Sequence, residues 1–316
     1  MKISILDAST LGDDLDLSVF NAVGEVSIYQ TTTPAELPLH SAGADVLVLN
    51  KVKINEETLP VPGSVKLICI AATGFDNVSQ EYCKKHGIAL CNVSGYSTNS
   101  VAQVTVAMVL NLMCHLPEYN AYVEDGSYTK SGIQNRLVPA YNELCGKKWG
   151  LVGCGGIGSA VARVAEVFGC EVCVCKKTPH NSYVNMDIDT LMRECDIISV
   201  HTPLNDETRN LINKDRIFSM KNSAVFVNVA RGAVADEGAL AEAIKQKRIA
   251  ALGIDVYSAE PFPADHPFNE IMHLDNVCFT PHMAWASVEA RTRCMEEVYK
   301  NIEAFCKGEV RNRLDL

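Results

Sequence analysis

The stretch Val152–His180, VGCGGIGSAVARVAEVFGCEVCVCKKTPH, decides how the rest of the chain is read. Gly153, Gly155 and Gly158 form G-x-G-x-x-G between the short apolar run KWGLV and an amphipathic run that starts near Ile157. That is the setting a dinucleotide-binding turn requires. The first glycine allows a tight turn, the second lets a pyrophosphate approach the backbone, and the third lets helix and strand pack closely. Gly156 and Ile157 complete the turn, where the free N–H groups and positive dipole end of a helix face phosphate. An ordinary α/β protein also uses glycine-rich turns, but the flanking strand and helix favour the nucleotide reading.

Outward from that turn, short apolar runs alternate with helical patterns almost from end to end. Strands are predicted at KISIL, VSIYQ, DVLVLN, KLICIAAT and IALCNV, and again at KWGLVG, EVCVCK, DIISVH, AVFVNV, AALGIDV and NVCFTP. Helical patterns such as SQEYCKKHG, GSAVARVAEVFG, DIDTLMREC and DEGALAEAIKQKR lie between them. This rhythm means parallel sheets with helices on both faces, and the strands are too many for one sheet. The fold class expected is α/β with two Rossmann-like domains, a flavodoxin-like substrate domain and a dinucleotide-binding domain. The break falls near SGYSTNSVAQ. Residues 1–97 form the first domain and 98–283 the second, with 284–316 returning to the first. The last helix carries an apolar stripe of Val288, Met295, Val298, Tyr299, Ile302 and Phe305 that needs a covering surface, which the first domain would supply.

Composition narrows the partners. The 316 residues are 47% hydrophobic and 21% charged, ordinary for a globular protein, and the net charge of −10 repels nucleic-acid backbones and anionic lipid. The most apolar run, Val101–Cys114, is interrupted by Gln103, Thr105 and Asn111 and reads as a buried helix, not a membrane span. The cysteines number 13, an odd count in a large chain that opens on MKISILDAS without a leader pattern, so a reducing cytoplasm is expected. Cys170, Cys173 and Cys175 cluster, but a strand points Cys170 away from the other two, and no second ligand pair lies at metal-site spacing. No metal is expected.

The strand after the glycine turn ends at Cys175 and Lys176, about 20 residues past the glycines, where an NAD site places Asp or Glu on the ribose hydroxyls. Here Lys176, Lys177 and Thr178 stand instead. A carboxylate would repel a 2′-phosphate, whereas two ammonium groups and a hydroxyl attract one. The cofactor expected is NADP, with NAD the alternative if these lysines are only solvated surface.

Ligands of doubly wound sheets collect beyond the carboxyl ends of the strands. Arg231 follows AVFVNVA, Glu260 follows ALGIDVYSA, and His282 follows NVCFTP. Singly these read as a surface ion pair, a helix-start residue and a partly buried histidine. Together, beside a dinucleotide turn, they read as a site. Hydride arriving at a ketone carbon puts negative charge on oxygen, so a proton donor and a fixed cation are needed. His282 can give the proton, Glu260 can orient the ring and favour imidazolium, and Arg231 can grip a carboxylate while polarising the carbonyl. A small 2-oxo or 2-hydroxy acid is the substrate expected.

These surroundings carry a resemblance. GLVGCGGIG, HTPLNDETRNLI, VFVNVARGAVADEGAL, GIDVYSAEP and FTPHMAWAS resemble the D-isomer-specific 2-hydroxyacid dehydrogenase family over nearly the whole chain. The resemblance implies that Arg231 binds substrate, that Glu260 tunes His282, and that His282 transfers the proton. It also implies that Asp255 contacts the nicotinamide carboxamide, that Thr202, Pro203 and Thr208 border the adenosine, that Val229 and Ala230 line the cofactor, and that the first domain closes over the substrate. LNKVKI, AATGFDNV and NVSGYSTNSVAQ are similar to the glycerate dehydrogenase, or hydroxypyruvate reductase, branch. There the amides near Thr73 and Gly74 would bind the substrate carboxylate, with Asn50 and Lys51 alongside.

Two positions depart from the family pattern. Lys176 replaces the acidic ribose residue, and Gln103 stands where many relatives have Glu. With the chain ending at Leu316, a regulatory extension is not expected, which favours small unphosphorylated acids. A dinucleotide-sensing corepressor of the same fold is the alternative from another class. Formate dehydrogenases, also similar, place Gln at the position of Glu260. The family's habit implies a homodimer, and the segment 115–144, HLPEYNAYVEDGSYTKSGIQNRLVPAYNEL, would be the exchanged arm or an ordinary surface excursion, otherwise without regular structure.

Overall fold

A computed structural model describes residues Met1–Leu316. They divide into two compact units, Met1–Ser97 with Ala286–Leu316, and Thr98–Trp285.

The first unit is built on five parallel strands: β1 (Lys2–Ile5), β2 (Glu25–Ile28), β3 (Val46–Leu49), β4 (Leu67–Ile70) and β5 (Ala89–Cys91), in the order β2-β1-β3-β4-β5. β3 and β4 read VLVL and LICI without alternation because both their faces are buried, the signature of a parallel sheet covered on each side. The helix Val288–Cys306, capped by the Ser287 hydroxyl on the Ala290 N–H, packs on β4. It buries Met295, Val298 and Ile302, and Tyr299 meets Phe20 at a ring distance of 6.3 Å. Val288, expected on that stripe, is 52% exposed, because it occupies the first turn, before the helix reaches the sheet. The edge of β5 is closed by the final residues: Cys91 bridges Arg313 in antiparallel fashion, and the Leu314 N–H donates to Leu90 O at 2.8 Å.

The second unit carries seven parallel strands in the order β12-β11-β10-β9-β6-β7-β8. These are β6 (Lys148–Val152), β7 (Glu171–Cys175), β8 (Val184–Asn185), β9 (Ile197–Val200), β10 (Val225–Asn228), β11 (Ala251–Ile254) and β12 (Val277–Phe279). All the strands expected from sequence are present, and β8 is an addition too short for any periodicity to reveal. Along β6 the side chains alternate between two cores. Val152 joins Ile198, Phe226 and Leu240 on one face, and Trp149 and Leu151 join Val161, Val227 and Met108 on the other. Gly150 is required on the first face, since a Cβ there would sit 2.7 Å from Leu191. Cys173 and Cys170 fall in opposite cores, as strand alternation demands. The chain order reverses between β6 and β9, so the loops after these two strands flank the switch point where such sheets bind ligands.

The buried helix runs Thr98–Cys114, starting earlier than its apolar run, and leaves Gln103 exposed. No single helix is long and apolar enough to cross a membrane. The segment after it does have regular structure, in correction of the expectation: helices Leu116–Glu124 and Ser127–Ser131, neither burying a residue. They lie at the surface, tied to the following loop by the Tyr119 hydroxyl, which donates to Pro139 O, and by the Arg136 guanidinium, which sits 4.0 Å over the Tyr122 ring. Leu116, Val123, Ile133, Leu137 and Tyr141 stand exposed in this stretch.

Candidate active site

The glycine turn after β6 has the form its sequence requires. Gly153 adopts φ +92°, and a Cβ on it would come within 2.8 Å of the His201 carbonyl oxygen at the end of β9. A Cβ on Gly158 would come within 2.4 Å of Gly153 O, so the helix Gly156–Val167 can approach the turn only with glycine there. Around Gly155, by contrast, a Cβ would meet nothing within 4 Å, which leaves its backbone open to a ligand. The two tight glycines and the open one fit a dinucleotide pyrophosphate at the helix N-terminus.

Arg231, Glu260 and His282 follow β10, β11 and β12, three neighbouring strands. Arg231 is set by Asn228, whose buried amide donates to Arg231 O at 2.9 Å and accepts from the Ala230 N–H at 3.0 Å. The guanidinium also donates from Nη1 to Ala230 O at 2.8 Å. His282 Nδ1 and Glu260 Oε2 lie 2.6 Å apart, and Glu260 Oε1 accepts the Tyr257 N–H at 3.0 Å. With the carboxylate on Nδ1, the Nε2 of His282 is the nitrogen left for proton exchange. His282 has φ +51°, a left-handed conformation unusual for a residue with a side chain, held by its N–H donating to Asp255 O at 2.8 Å.

Asp255 is turned inward. It is 1% exposed, and its carboxylate accepts from the Thr280 hydroxyl at 2.6 Å and the Met283 and Ala284 N–H groups at 2.9 and 3.0 Å. Burial pushes its carboxyl above the ordinary carboxylate range, against the opposing pull of these donors. Its visible work is to hold the turn that carries His282. Val229 is buried and Ala230 half-buried beside it in the loop after β10.

The loop after β7 presents Lys176, Lys177 and Thr178, all exposed. Lys176 Nζ reaches Cys154 O in the glycine turn at 3.5 Å. Lys177 pairs with Glu207, a carboxylate on the loop after β9 that sequence reading did not bring into the site. Thr202 and Pro203 open that loop, and the Thr208 hydroxyl fixes its shape by donating to Pro203 O at 2.6 Å and accepting the Asn205 N–H at 2.8 Å.

His201, at the end of β9, is a further residue without an expected role. Trp149 Nε1 donates to Ser199 Oγ at 2.9 Å, and that hydroxyl meets His201 Nε2 at 2.9 Å, while the buried Nδ1 has no hydrogen-bond partner in the chain. Burial depresses the imidazole from 6.5 to about 3. Above 6.5 the ring is neutral whether folded or unfolded. Below it the unfolded chain takes up a proton that the folded chain refuses, so stability is lost on acidification, at about 1.4 kcal/mol per pH unit until the folded ring titrates. In His201→Gln, the unfolding free energy from urea titrations below pH 6.5 is therefore expected to fall less steeply, by about that slope. Identical slopes in the two proteins would contradict the assignment.

In the first unit, the loop after β3 is fixed by Asp7, buried at the end of β1. Its carboxylate accepts the backbone N–H groups of Asn50 at 2.9 Å, Lys51 at 2.6 Å and Val52 at 3.2 Å. Burial raises the Asp7 carboxyl above its ordinary range, with those N–H groups pulling it back. The Asn50 amide is spent internally on Thr10 Oγ1 at 3.0 Å, and Lys51 is exposed. After β4, the Thr73 hydroxyl donates to Val93 O at 2.9 Å and the Asn92 amide to Thr73 O at 2.7 Å, shaping the backbone at Thr73 and Gly74.

The sequence profile of the D-isomer specific 2-hydroxyacid dehydrogenase NAD-binding domain matches residues 106–284. The chain is 33% identical over 312 residues to a glycerate dehydrogenase of Methylorubrum extorquens, covering 98% of each. It is 32% identical over 317 residues to a hydroxypyruvate reductase of Blautia hydrogenotrophica, again covering 98% of each. Among solved structures, a D-lactate dehydrogenase of Aquifex aeolicus complexed with NAD and lactic acid superposes with a TM-score of 0.86 at 29% identity, covering 100% of this chain and 99% of that one. An acyclic imino acid reductase in complex with NADPH and D-Arg superposes at 0.88 with 27% identity, covering 99% and 100%.

Proposed function

Because the chain belongs to the D-isomer-specific 2-hydroxyacid dehydrogenase family, and so is an oxidoreductase with a nicotinamide dinucleotide cofactor, we propose that it reduces hydroxypyruvate, or the closely similar glyoxylate, with NADPH. The observation that carries the chemistry is the 2.6 Å contact of His282 Nδ1 with Glu260, on the strand ends beside Arg231. The relatives named for glycerate and hydroxypyruvate support the substrate class.

The reduced nicotinamide, when bound, supplies a hydride. The chain's own residues do the rest. Arg231 holds the substrate carboxylate with its planar fork and draws charge toward the carbonyl oxygen. As the carbon gains its new C–H bond, the carbonyl π electrons move to oxygen, which takes the proton from His282 Nε2. Glu260 stabilises the imidazolium before transfer and keeps Nε2 aimed through its hold on Nδ1. The neutral ring then regains a proton from water. Asp255 serves by fixing the His282 turn.

NADPH is favoured because no carboxylate follows β7, where NAD sites place one, and Lys176 stands there instead. The Glu207 partner of Lys177 weakens that lysine's share. The test is kcat/KM for hydroxypyruvate, glyoxylate and pyruvate with each reduced cofactor. The expected result is highest activity on hydroxypyruvate with NADPH. Lys176→Ala should narrow the NADPH-to-NADH ratio by about tenfold, the size of one charge-assisted contact, and Lys177→Ala should narrow it less. An NADH preference untouched by either substitution would remove the cofactor assignment, and no reduction of any of the three acids would remove the substrate class.

A further inference from the structure

Glu260 lies on Tyr257–Pro261, a stretch with no helix or strand to hold it. Proton transfer demands placement to a fraction of an ångström, which an unsupported turn does not give. At its start Tyr257 is anchored by its hydroxyl, which donates to Thr280 O at 2.9 Å, and beyond it support comes from Glu237, the first residue of the helix Glu237–Lys245. Its Oε1 accepts the Ser258 N–H at 2.9 Å, and its Oε2 accepts the Ser258 hydroxyl and pairs with His266 Nε2 at 3.1 Å. The Phe268 N–H donates to His266 Nδ1 at 3.3 Å, so that nitrogen presents its lone pair and the ring proton sits on Nε2, donating to Glu237. The rings of Phe262 and Phe268, each 4.9 Å from that of His266, fix the imidazole in place.

Two features argue against an ordinary helix-start role. The N-cap is Asp236, whose side chain accepts the Ala239 N–H, so Glu237 is not needed for capping. The Glu237 and His266 side chains are 10% and 7% exposed, and burying a carboxylate costs stability that a packed apolar side chain would not. Glu237 also acts on the peptide that Arg231's neighbour contacts: a Cβ on Gly232 would lie 2.1 Å from Tyr257 C and 2.2 Å from Ser258 N. The Tyr257–Ser258 peptide is therefore seated on Gly232 and fastened by Glu237 through the Ser258 N–H, and the peptide before it, Val256–Tyr257, donates its Tyr257 N–H to Glu260.

We propose that Glu237, locked by His266, is a positioning residue for the reduction, holding the Tyr257–Ser258 peptide against Gly232 so that Glu260 meets His282 and Arg231 keeps its place. The inference rests on the acid–base reading of His282 and Glu260 above. Loss of the anchor is expected to loosen Glu260 from the imidazole.

The experiment compares kcat and kcat/KM against pH for hydroxypyruvate reduction in wild type, Glu260→Gln, Glu237→Ala, Glu237→Gln and Ser258→Ala, with NADPH affinity by fluorescence titration and Tm alongside. In Glu237→Ala, kcat should fall by about 10- to 100-fold, as misplacement by an ångström costs. The alkaline limb of kcat/KM should move to lower pH, in the direction of Glu260→Gln, while NADPH affinity changes by less than about threefold, the glycine turn being untouched. Glu237→Gln, which keeps the acceptor for Ser258 N–H but sets an amide N–H against His266, should fall between. If Glu237→Ala does not fold, Ser258→Ala, which removes one hydroxyl, must still move the limb the same way. A lowered Tm with kcat and the limb unchanged in Glu237→Ala and Ser258→Ala, while Glu260→Gln moves it, overturns the role of Glu237 alone. An unmoved limb in Glu260→Gln overturns the acid–base reading, and this inference with it.

Discussion

Replacing His282 with Ala is expected to lower kcat/KM for hydroxypyruvate reduction by on the order of 10³-fold, within the range that positioned proton transfer contributes. The loss should lie in kcat, because the imidazole is asked to act only as charge develops on oxygen. NADPH binding should hold within a few-fold, since the glycine turn follows β6 and His282 follows β12, at the far edge of the sheet. Two controls bear on the assignment. His282→Gln cannot pass a proton and should be nearly as poor as Ala. Glu260→Gln should lose less, because the imidazole remains without its carboxylate. Steady-state kinetics with both reduced cofactors, together with fluorescence titration of NADPH, measure all of this. A loss below about tenfold in His282→Ala would mean that some other group gives the proton.

Arg231→Ala carries the second-largest expected effect, a fall of about 10²- to 10³-fold in kcat/KM, the scale of removing one preorganised donor from a developing oxyanion. Unlike His282→Ala, it should raise KM as well as lower kcat, because the guanidinium is assigned both the substrate carboxylate and the carbonyl oxygen. Arg231→Lys should recover only part of the loss, since a point ammonium cannot make two parallel contacts. The Asn228 amide that orders this loop bonds to backbone atoms, so the fold should tolerate either substitution and Tm should change little. An Arg231→Ala enzyme with unchanged KM for the acid would remove the carboxylate from its role.

The parts of this site legible in sequence are those that local spacing encodes. The glycine turn is a short pattern between a strand and a helix, and Arg231, Glu260 and His282 could be found because each follows a strand whose end is itself readable. What escaped reading depends on contacts between distant segments. Glu237, Ser258 and His266 are ordinary residues until the fold brings them to hydrogen-bonding distance. Glu207 sits in a polar loop like any other acid, and nothing in the order of residues shows that Lys177 would find it. Asp255 was readable as a site residue by resemblance, but its inward orientation follows from the Thr280, Met283 and Ala284 donors around it. β8 escaped because two residues have no period, and the helices of 116–131 because no buried stripe marks them.

The first unit is assembled from two stretches of chain separated by the whole of Thr98–Trp285. A ribosome therefore releases β1 to β5 long before the helix Val288–Cys306 that covers β4 and the strand-like residues that close β5. Throughout that interval a greasy sheet face and an open strand edge are on offer to chaperones and to other nascent chains, while the second unit, continuous in sequence, can complete itself. Biosynthetic yield should thus hinge on the last thirty or so residues far more than their small share of the molecule suggests.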